Sequence, residues 1–563
     1  MDIVGVLTEA ASVKIATPIY VHPHQLKGYS RGRRSEIPQM NYPDPWPGGW
    51  WRLRDIIAYQ KEATYAILEA AAKFREELLY NSYVKARRSI ARGRREPPYA
   101  FIVPLRQHDL LTTYKLVEVL RNLGILVHAA EGPFEAGGKL YPGGTLVIFA
   151  AQPRRALLKK LLEEYRYPDN EFTRDRSGKP IRPYDLATER LPDFMGVYIE
   201  EIAEPFNGKF RLIEEDLRPM PTLKESSAGW LLDPRLNDSH KVVVTLLSSQ
   251  LKVYRVPTAV YTGSLELPPG AFFIPREEGM ASVLKRAIAE VGVEPIPADE
   301  EPHELVEVKI ARIGIYRRLY GGSIDEGWIR WLLDTYGIPY KLVRDPLIRE
   351  DKLREEIDIL ILPDDPLPLL KGENVEEELS KLWRRPVKLP PWPEEYRSGF
   401  GKEGVKDIKR FVEEGGTLMT IRRSTEILYK EFKLPLRDLT EELKDPQKFF
   451  CPGSTLRALV DIEHPLAWGM PREAKVLFMD GPVLEIVPSY DNEKFKEVMR
   501  FADNDLLCSG WLTGEEYLRR RPLLIDATLR RGHVYAYAFK PHFRGQTHGT
   551  YKLLLNAVYA YRS

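Results

Sequence analysis

Residues 357–363, IDILILP, and 415–421, GGTLMTI, are the two runs on which the fold turns. Each is a short aliphatic stretch without polar alternation, as a strand buried on both faces requires. A helical pattern over 404–414 lies between them, so the order is strand, helix, strand. The same rhythm extends upstream through VKIARIGIYR (308–317), a helix over 325–336 and YKLV (340–343). Downstream it continues through LLIDAT (523–528) and HVYAYAF (533–539) to a terminal helix. Strands alternating with helices predict an α/β fold, a mostly parallel three-layer arrangement over residues 306–563.

The Pro/Glu-rich stretch PIPADEEPHE (295–304) places a boundary near residue 305. Before it, residues 97–305 read as a mixed α/β and β-rich middle region. YAFIVPL (99–105), ILVHAA (125–130) and TLVIFAA (145–151) are expected strands; a helix over 110–123 ends at Gly124, and another follows Pro153. Residues 165–230 are rich in Pro, Asp and Arg and predict long ordered loops. HKVVVTLLSSQLKVYRV (240–256) and AFFIP (271–275) read as strands, and MASVLKRAIAEVGV (280–293) as a helix.

Residues 1–96 form a third segment. IVGVLTEAASVKIATPIYV (3–21) reads as one or two strands, followed by the loop NYPDPWPGGWW (41–51). A long helix with one buried stripe is expected from Leu53 to Leu79, through Ile56, Tyr59, Ala63, Ile67, Ala70 and Phe74. Basic clusters at 85–88 and 92–95, running up to Pro97 and Pro98, read as a linker or domain edge. The fold opens on an apolar run with neither leader nor cap, so a truncated domain is expected.

Length and charge narrow the function classes. At about 150 residues per domain, 563 residues predict three or four units. A 43% hydrophobic content excludes disorder, and no apolar run reaches the length of a membrane span. Lys and Arg number 83 against 81 Asp and Glu, leaving +2, too little for a field that draws nucleic acid. The arginine clusters at 31–34 and 87–95 have few interleaved aromatics and read as solvated surface, so no nucleic-acid partner is expected. Cys451 and Cys508 allow one disulfide at most and no cysteine zinc site; buried inert thiols are the expectation. No basic flank or small-residue cleavage site follows Met1, so no signal peptide is read if Met1 is the true start. The compartment stays open.

Glu9 ends the run VGVLT, where a buried carboxylate is costly unless it has a partner or a task. The words around it sharpen that reading. VGVLTEAAS (4–12), then a Trp/Gly/Pro loop, then WWRLRDIIAYQKEATYAILEAAAKFREELL (50–79) resemble the carboxyl end of the zinc carboxypeptidase catalytic domain. The resemblance continues through YPGGTLVIFAAQPRRALLKKLLE (141–163), IRPYDLAT (181–188) and LPDFMGV (191–197), which are similar to the middle of large bacterial members. YGGSIDEGWIRWLLDTYGIPY (320–340), EEGGTLMTI (413–421) and KPHFRGQTHGTYKLLLNA (540–557) resemble their carboxyl-terminal α/β part. It implies a zinc metallocarboxypeptidase acting on peptide or protein substrates, with residues 1–96 the remnant of the catalytic domain.

In that family a glutamate at this place is the general base on a zinc-bound water, which makes Glu9 the implied catalytic residue. The family's zinc ligands, a His and a Glu in one short motif and a later His, all precede it, and here only eight residues do. Bound zinc lowers the pKa of water by roughly nine units, on the order of 12 kcal/mol, which a lone carboxylate does not replace. The chain is therefore expected to bind no zinc by itself and to be inactive alone as a peptidase. His22 and His24, two apart in an extended segment, could share a face but supply only two of three ligands. His542 and His548, with Arg544 and Gln546 between them, read as the entry to the terminal helix, with a ligand site as the alternative.

GFGKEG (399–404) matches GxGxxG in letters but follows no strand, so it reads as a loop before a helix. Residues 306–563 resemble the class I glutamine amidotransferase-like fold, whose active members seat a cysteine on a sharp turn after a strand. The comparable strand here ends GGTLMTIRRS and has none, so amidotransferase chemistry is not expected. The rival to a peptidase is a non-catalytic peptide- or glycan-binding or assembly protein built around the crevice at that sheet's strand ends.

Overall fold

The computed structural model describes residues 4–12, 16–26, 29–30, 33–34, 37–40, 42–263, 265–319, 322–383, 386–389, 391, 393 and 396–561. Residues 3 and 13–15 of the expected first strands, and Arg31 with the side chains of Arg33 and Arg34, lie outside the described residues. The chain is α/β and divides into two compact units, Met1–Glu96 with Ala151–Ala156, and Pro97–Ala150 with Leu157–Ser563.

In the first unit β1 (Ile19–Val21) pairs antiparallel with β2 (Gly49–Trp51), Ile19 opposite Trp51. α1 (Leu53–Lys73) begins where the Asp55 carboxylate accepts from the Arg52 N–H at 2.8 Å, satisfying one donor and placing negative charge in the first turn. The expected single helix is two, because Phe74 leaves helical geometry at φ −107°, ψ 25° before α2 (Arg75–Gly93). The expected buried stripe is absent: no side chain of α1 is buried, and Tyr59, Ile67 and Phe74 of that stripe are 56%, 40% and 47% exposed. Nor do residues 4–12 form a strand; Val4, Val6 and Leu7 are exposed. An apolar run becomes a strand only when a neighbouring strand takes its N–H and C=O groups in register, and no described strand pairs with 4–12. Lys85 to Arg92 belong to α2, so this basic stretch is helix and no linker, while the expected domain edge falls between Glu96 and Pro97.

The second unit opens with a five-stranded antiparallel sheet in the order 200–202, 100–103, 146–149, 128–130, 210–212. α3 (Asn237–Ser248) corrects the reading of 240–248 as strand. Val242, Val243, Val244 and Leu246 are all buried, so the helix shows an unbroken apolar run and no 3.6-residue stripe, and burial outweighs the β-propensity of its three valines. A six-stranded sheet follows in the order 296–298, 229–232, 271–275, 254–256, 306–310, 559–561. Its strand Val306–Ile310 pairs with Tyr254–Val256 on one side and Tyr559–Tyr561 on the other.

The largest sheet is built from β3 (Ile313–Tyr316), α4 (Ile324–Tyr336), β4 (Tyr340–Val343), β5 (Ile359–Leu362), α5 (Gly401–Glu413), β6 (Thr417–Ile421) and the short α6 (Glu426–Lys430). β7 (Pro452–Val460), β8 (Glu473–Met479), β9 (Phe495–Phe501), β10 (Pro522–Leu529) and β11 (Gly532–Tyr537) complete it. The strand order is β4-β3-β5-β6-β11-β10-β9-β7-β8, with Leu507–Ser509 added on β7. Pairing is parallel from β4 to β11 and antiparallel beyond, so "mostly parallel" describes one half. The reason is local: only Arg530 and Arg531 separate β10 from β11, Arg530 at φ 54°, and a parallel crossover needs a dozen residues or more. α5 packs Val405, Ile408, Phe411 and Val412 onto the sheet at helical spacing, each contributing roughly 1.5–3 kcal/mol by burial. An aspartate at position 408 would break that face.

Candidate functional sites

Glu9 is held from both sides. The Thr8 hydroxyl donates to Gln60 Oε1 at 2.7 Å, and Gln60 Nε2 donates back to the Thr8 carbonyl at 3.3 Å. Trp51 Nε1 donates to the Ala11 carbonyl at 2.9 Å. The segment 8–11 is thereby tied to α1 and to the end of β2, beside the aromatic rings of Trp46, Trp51 and Tyr59, whose neighbouring centroids lie 5.4–5.6 Å apart. These rings, Ile19 and Val21 wall a hollow of about 490 Å³ that Glu9 and Asp44 also line. Glu9 itself is exposed, so the expectation of a carboxylate at the end of a buried strand is corrected, for want of the strand. Asp44, Trp46 and Gln60 were not singled out in the sequence; the run of Trp, Pro and Gly at 43–51 was the available signal.

His22 and His24 stack with ring centroids 5.4 Å apart, but Pro23–Leu26 is a 3₁₀ turn, so the extended segment that would aim both at one metal is absent. No group of three or more His, Cys, Asp or Glu that could hold a metal ion occurs among the described residues. Cys451 and Cys508 are buried free thiols, pushed up by burial to about 12 and about 11. In the GFGKEG stretch Gly399 sits at φ 129°, where a Cβ would lie 2.3 Å from the Gly372 nitrogen, and Gly404 is already inside α5. Close packing uses these glycines.

The carboxyl ends of the parallel strands gather a charged network. Arg318 follows β3, Asp364 and Asp365 follow β5, Arg422 and Arg423 follow β6, and Lys540 and His542 follow β11. Asp364, buried, accepts from Arg422 Nη1 at 3.1 Å and Arg423 Nε at 2.6 Å, and lies 2.8 Å from Lys540 Nζ. Asp325, in the first turn of α4, lies 3.2 Å from both Lys540 Nζ and His542 Nε2 and accepts from the Asp364 N–H at 2.9 Å. Arg318 clamps Asp365 with two bonds of 2.9 and 3.1 Å. Burial opposes the charge on Asp364, but Arg422, Lys540 and Arg423 outweigh it and hold the carboxyl well below its ordinary value. Burial wins at Asp365, which is raised despite Arg318.

The sharp turn after β6 is present, with Arg422 at φ 54°, and it carries an arginine and no cysteine. His542 is fully buried with no partner for Nδ1, while His548 Nδ1 lies 3.0 Å from the Gln546 carbonyl. The Thr547 and Thr550 hydroxyls both donate to the Pro541 carbonyl, at 2.9 and 2.8 Å, and close this loop before the helical turn Lys552–Leu555. Arg544 is spent on Asp185 through two bonds of 2.6 and 2.8 Å.

No family model and no curated protein matches the chain. Among solved structures it is similar to the cytoplasmic protein STM3548 of Salmonella typhimurium, 13% identical over 45% of this chain and 100% of that one, TM-score 0.27. It is similar to a ThuA-like protein of Bacteroides uniformis, 12% identical over 44% and 88%, TM-score 0.25. A GMP synthase subunit of Thermoplasma acidophilum is 13% identical over 44% and 94%, TM-score 0.26. Likeness at this level brings no activity, substrate or partner to the chain. Among the described residues no helix is long and apolar enough to cross a membrane.

Proposed function

We propose that the first unit is the closing part of a zinc-carboxypeptidase-like catalytic domain, in which Glu9 serves as general base toward the carbonyl of a carboxyl-terminal peptide bond. The hollow of about 490 Å³ beside Glu9 carries this reading: it is walled by Trp46, Trp51, Tyr59, Ile19 and Val21, and its size suits an apolar side chain of a substrate. The uncovered apolar faces of residues 4–7 and of α1 agree with a domain that has further polypeptide to pack against.

The described residues do not fit a catalytic zinc, because they assemble no set of three ligands. These residues anchor the backbone on either side of Glu9 and set an aromatic wall beside its exposed carboxylate.

Zinc content and release of phenylalanine from hippuryl-phenylalanine, measured on the purified chain, test the proposal. Neither stoichiometric zinc nor turnover is expected from these 563 residues alone. One bound zinc per chain together with turnover overturns the reading that these residues lack the metal ligands, and turnover that survives Glu9→Gln overturns the role given to Glu9.

A further inference from the structure

A second hollow, also of about 490 Å³, opens in the other unit, past the end of β6, between α6, the segment 436–441 and the turn 480–482. It sits outside the carboxyl ends of parallel strands, where such sheets take ligands. Two non-glycine residues on its wall, Arg422 and Asp480, have left-handed backbones at φ 54° and φ 60°, and strain of this kind collects where a fold is shaped around a ligand. Gly481, at φ 148°, completes the wall, and a Cβ there would lie 2.5 Å from Thr440 Oγ1.

The chemistry of the wall selects the ligand. Four cations line it, Arg422, Arg423, Lys430 and Arg437, and four carboxylates, Glu426, Asp438, Glu441 and Asp480. Each is already answered within the protein. Arg422 and Arg423 bind Asp364, Lys430 binds Glu426, and Arg437 binds Glu485 at 2.7 Å. Asp480 is paired with Arg182 and Glu441 with Lys444, while Asp438 accepts from the Thr440 N–H at 2.9 Å and the Val483 N–H at 3.0 Å. A free anion would meet four carboxylates there and a cation four ammonium or guanidinium groups, so the balanced wall favours neither sign of net charge. A hydroxyl suits both, since it donates to a carboxylate and accepts from a guanidinium at once. The half-buried Tyr429, with Leu436 and Pro482, adds apolar surface for a ring face.

We propose that this crevice binds an uncharged, hydroxyl-rich ligand of the size of a mono- or disaccharide. The site belongs to the second unit and Glu9 to the first, and the inference goes beyond the peptidase reading without resting on it.

Calorimetric titration of the full chain, with EDTA present, tests it, using maltose, cellobiose and lactose as neutral probes and glucuronate and glycylglycine as charged ones. At least one neutral disaccharide should bind about tenfold more tightly than either charged probe, and Arg437→Ala and Glu426→Ala should each weaken it by about tenfold. Should Arg437→Ala lower the melting temperature, Glu426→Gln, which keeps size and removes charge, gives the comparison. No neutral binding up to about 10 mM, tighter binding of a charged probe, or unchanged binding by the variants overturns the proposal.

Discussion

Gln60 grips Thr8 from both ends, its carbonyl taking the threonine hydroxyl at 2.7 Å and its amide nitrogen giving to the threonine carbonyl at 3.3 Å. A residue in the third turn of α1 thereby orients the backbone immediately before Glu9, a link that no strand pairing provides. Replacing Gln60 with alanine removes both bonds, at a cost of about 1–2 kcal/mol to that local contact. Hydrogen exchange at the amides of 8–11 should quicken while melting of the second unit stays put.

Leu68 on α1 and Leu79 on α2 offer a direct check on the uncovered apolar surface of these helices. At 59% and 72% exposure, Leu68→Lys and Leu79→Lys should change stability by no more than about 0.5 kcal/mol, whereas a buried leucine would lose several. Denaturant midpoints read the difference, and reduced binding of an apolar dye by the double variant is the accompanying expectation.

Lys540 serves two buried carboxylates, Asp325 at 3.2 Å and Asp364 at 2.8 Å. Burial works against ionisation of both; Arg422, Lys540 and Arg423 at Asp364, and His542 and Lys540 at Asp325, overcome it and hold both below the ordinary aspartate value. A depressed folded pKa stabilises above the unfolded value, near pH 4, and the contribution is lost as pH falls through the folded value. Lys540→Met should cost about 3–5 kcal/mol at neutral pH and move acid unfolding to higher pH. Urea midpoints between pH 7 and pH 3 measure both effects; an unchanged acid limb would refute the pairing.

Cys451 and Cys508 should be silent to thiol reagents in the native protein. With thiols pushed up to about 12 and about 11 by burial, roughly one in ten thousand and one in a thousand would be ionised at pH 8. Ellman titration is expected to count none before and two after denaturation.

Gly469 has φ 78°, and a Cβ on it would lie 2.0 Å from the Pro234 carbonyl oxygen, a backbone atom that cannot swing aside. Gly469→Ala should destabilise the second unit by about 3 kcal/mol or more, from backbone strain added to overpacking. A melting temperature equal to that of the parent would show that the two segments do not approach so closely.

Much of the second unit was legible in the residues. YKLV occupies 340–343 as a strand, GGTLMTI ends in one, and the helices at 325–336 and 280–291 appear where their spacing put them. The valine run of α3 was not legible as a helix, because a helix buried nearly all round leaves the same continuous apolar signature as a strand. The charged network was hidden for another reason: Asp325, Asp364, Arg422 and Lys540 sit far apart in sequence, and only the parallel order of β3, β5, β6 and β11 brings their strand ends together.

By itself the sequence determined the class, α/β, because apolar periodicity is a local property written into each run. It also ruled out a cysteine after GGTLMTI, since residue identity needs no neighbours. Tertiary structure alone decided that VGVLT forms no strand pair, that no side chain of α1 is buried, and that Arg422, Arg423 and Lys540 converge on Asp364. Pairing, burial and charge balance depend on what else occupies the same few ångströms, and a linear string does not hold that information.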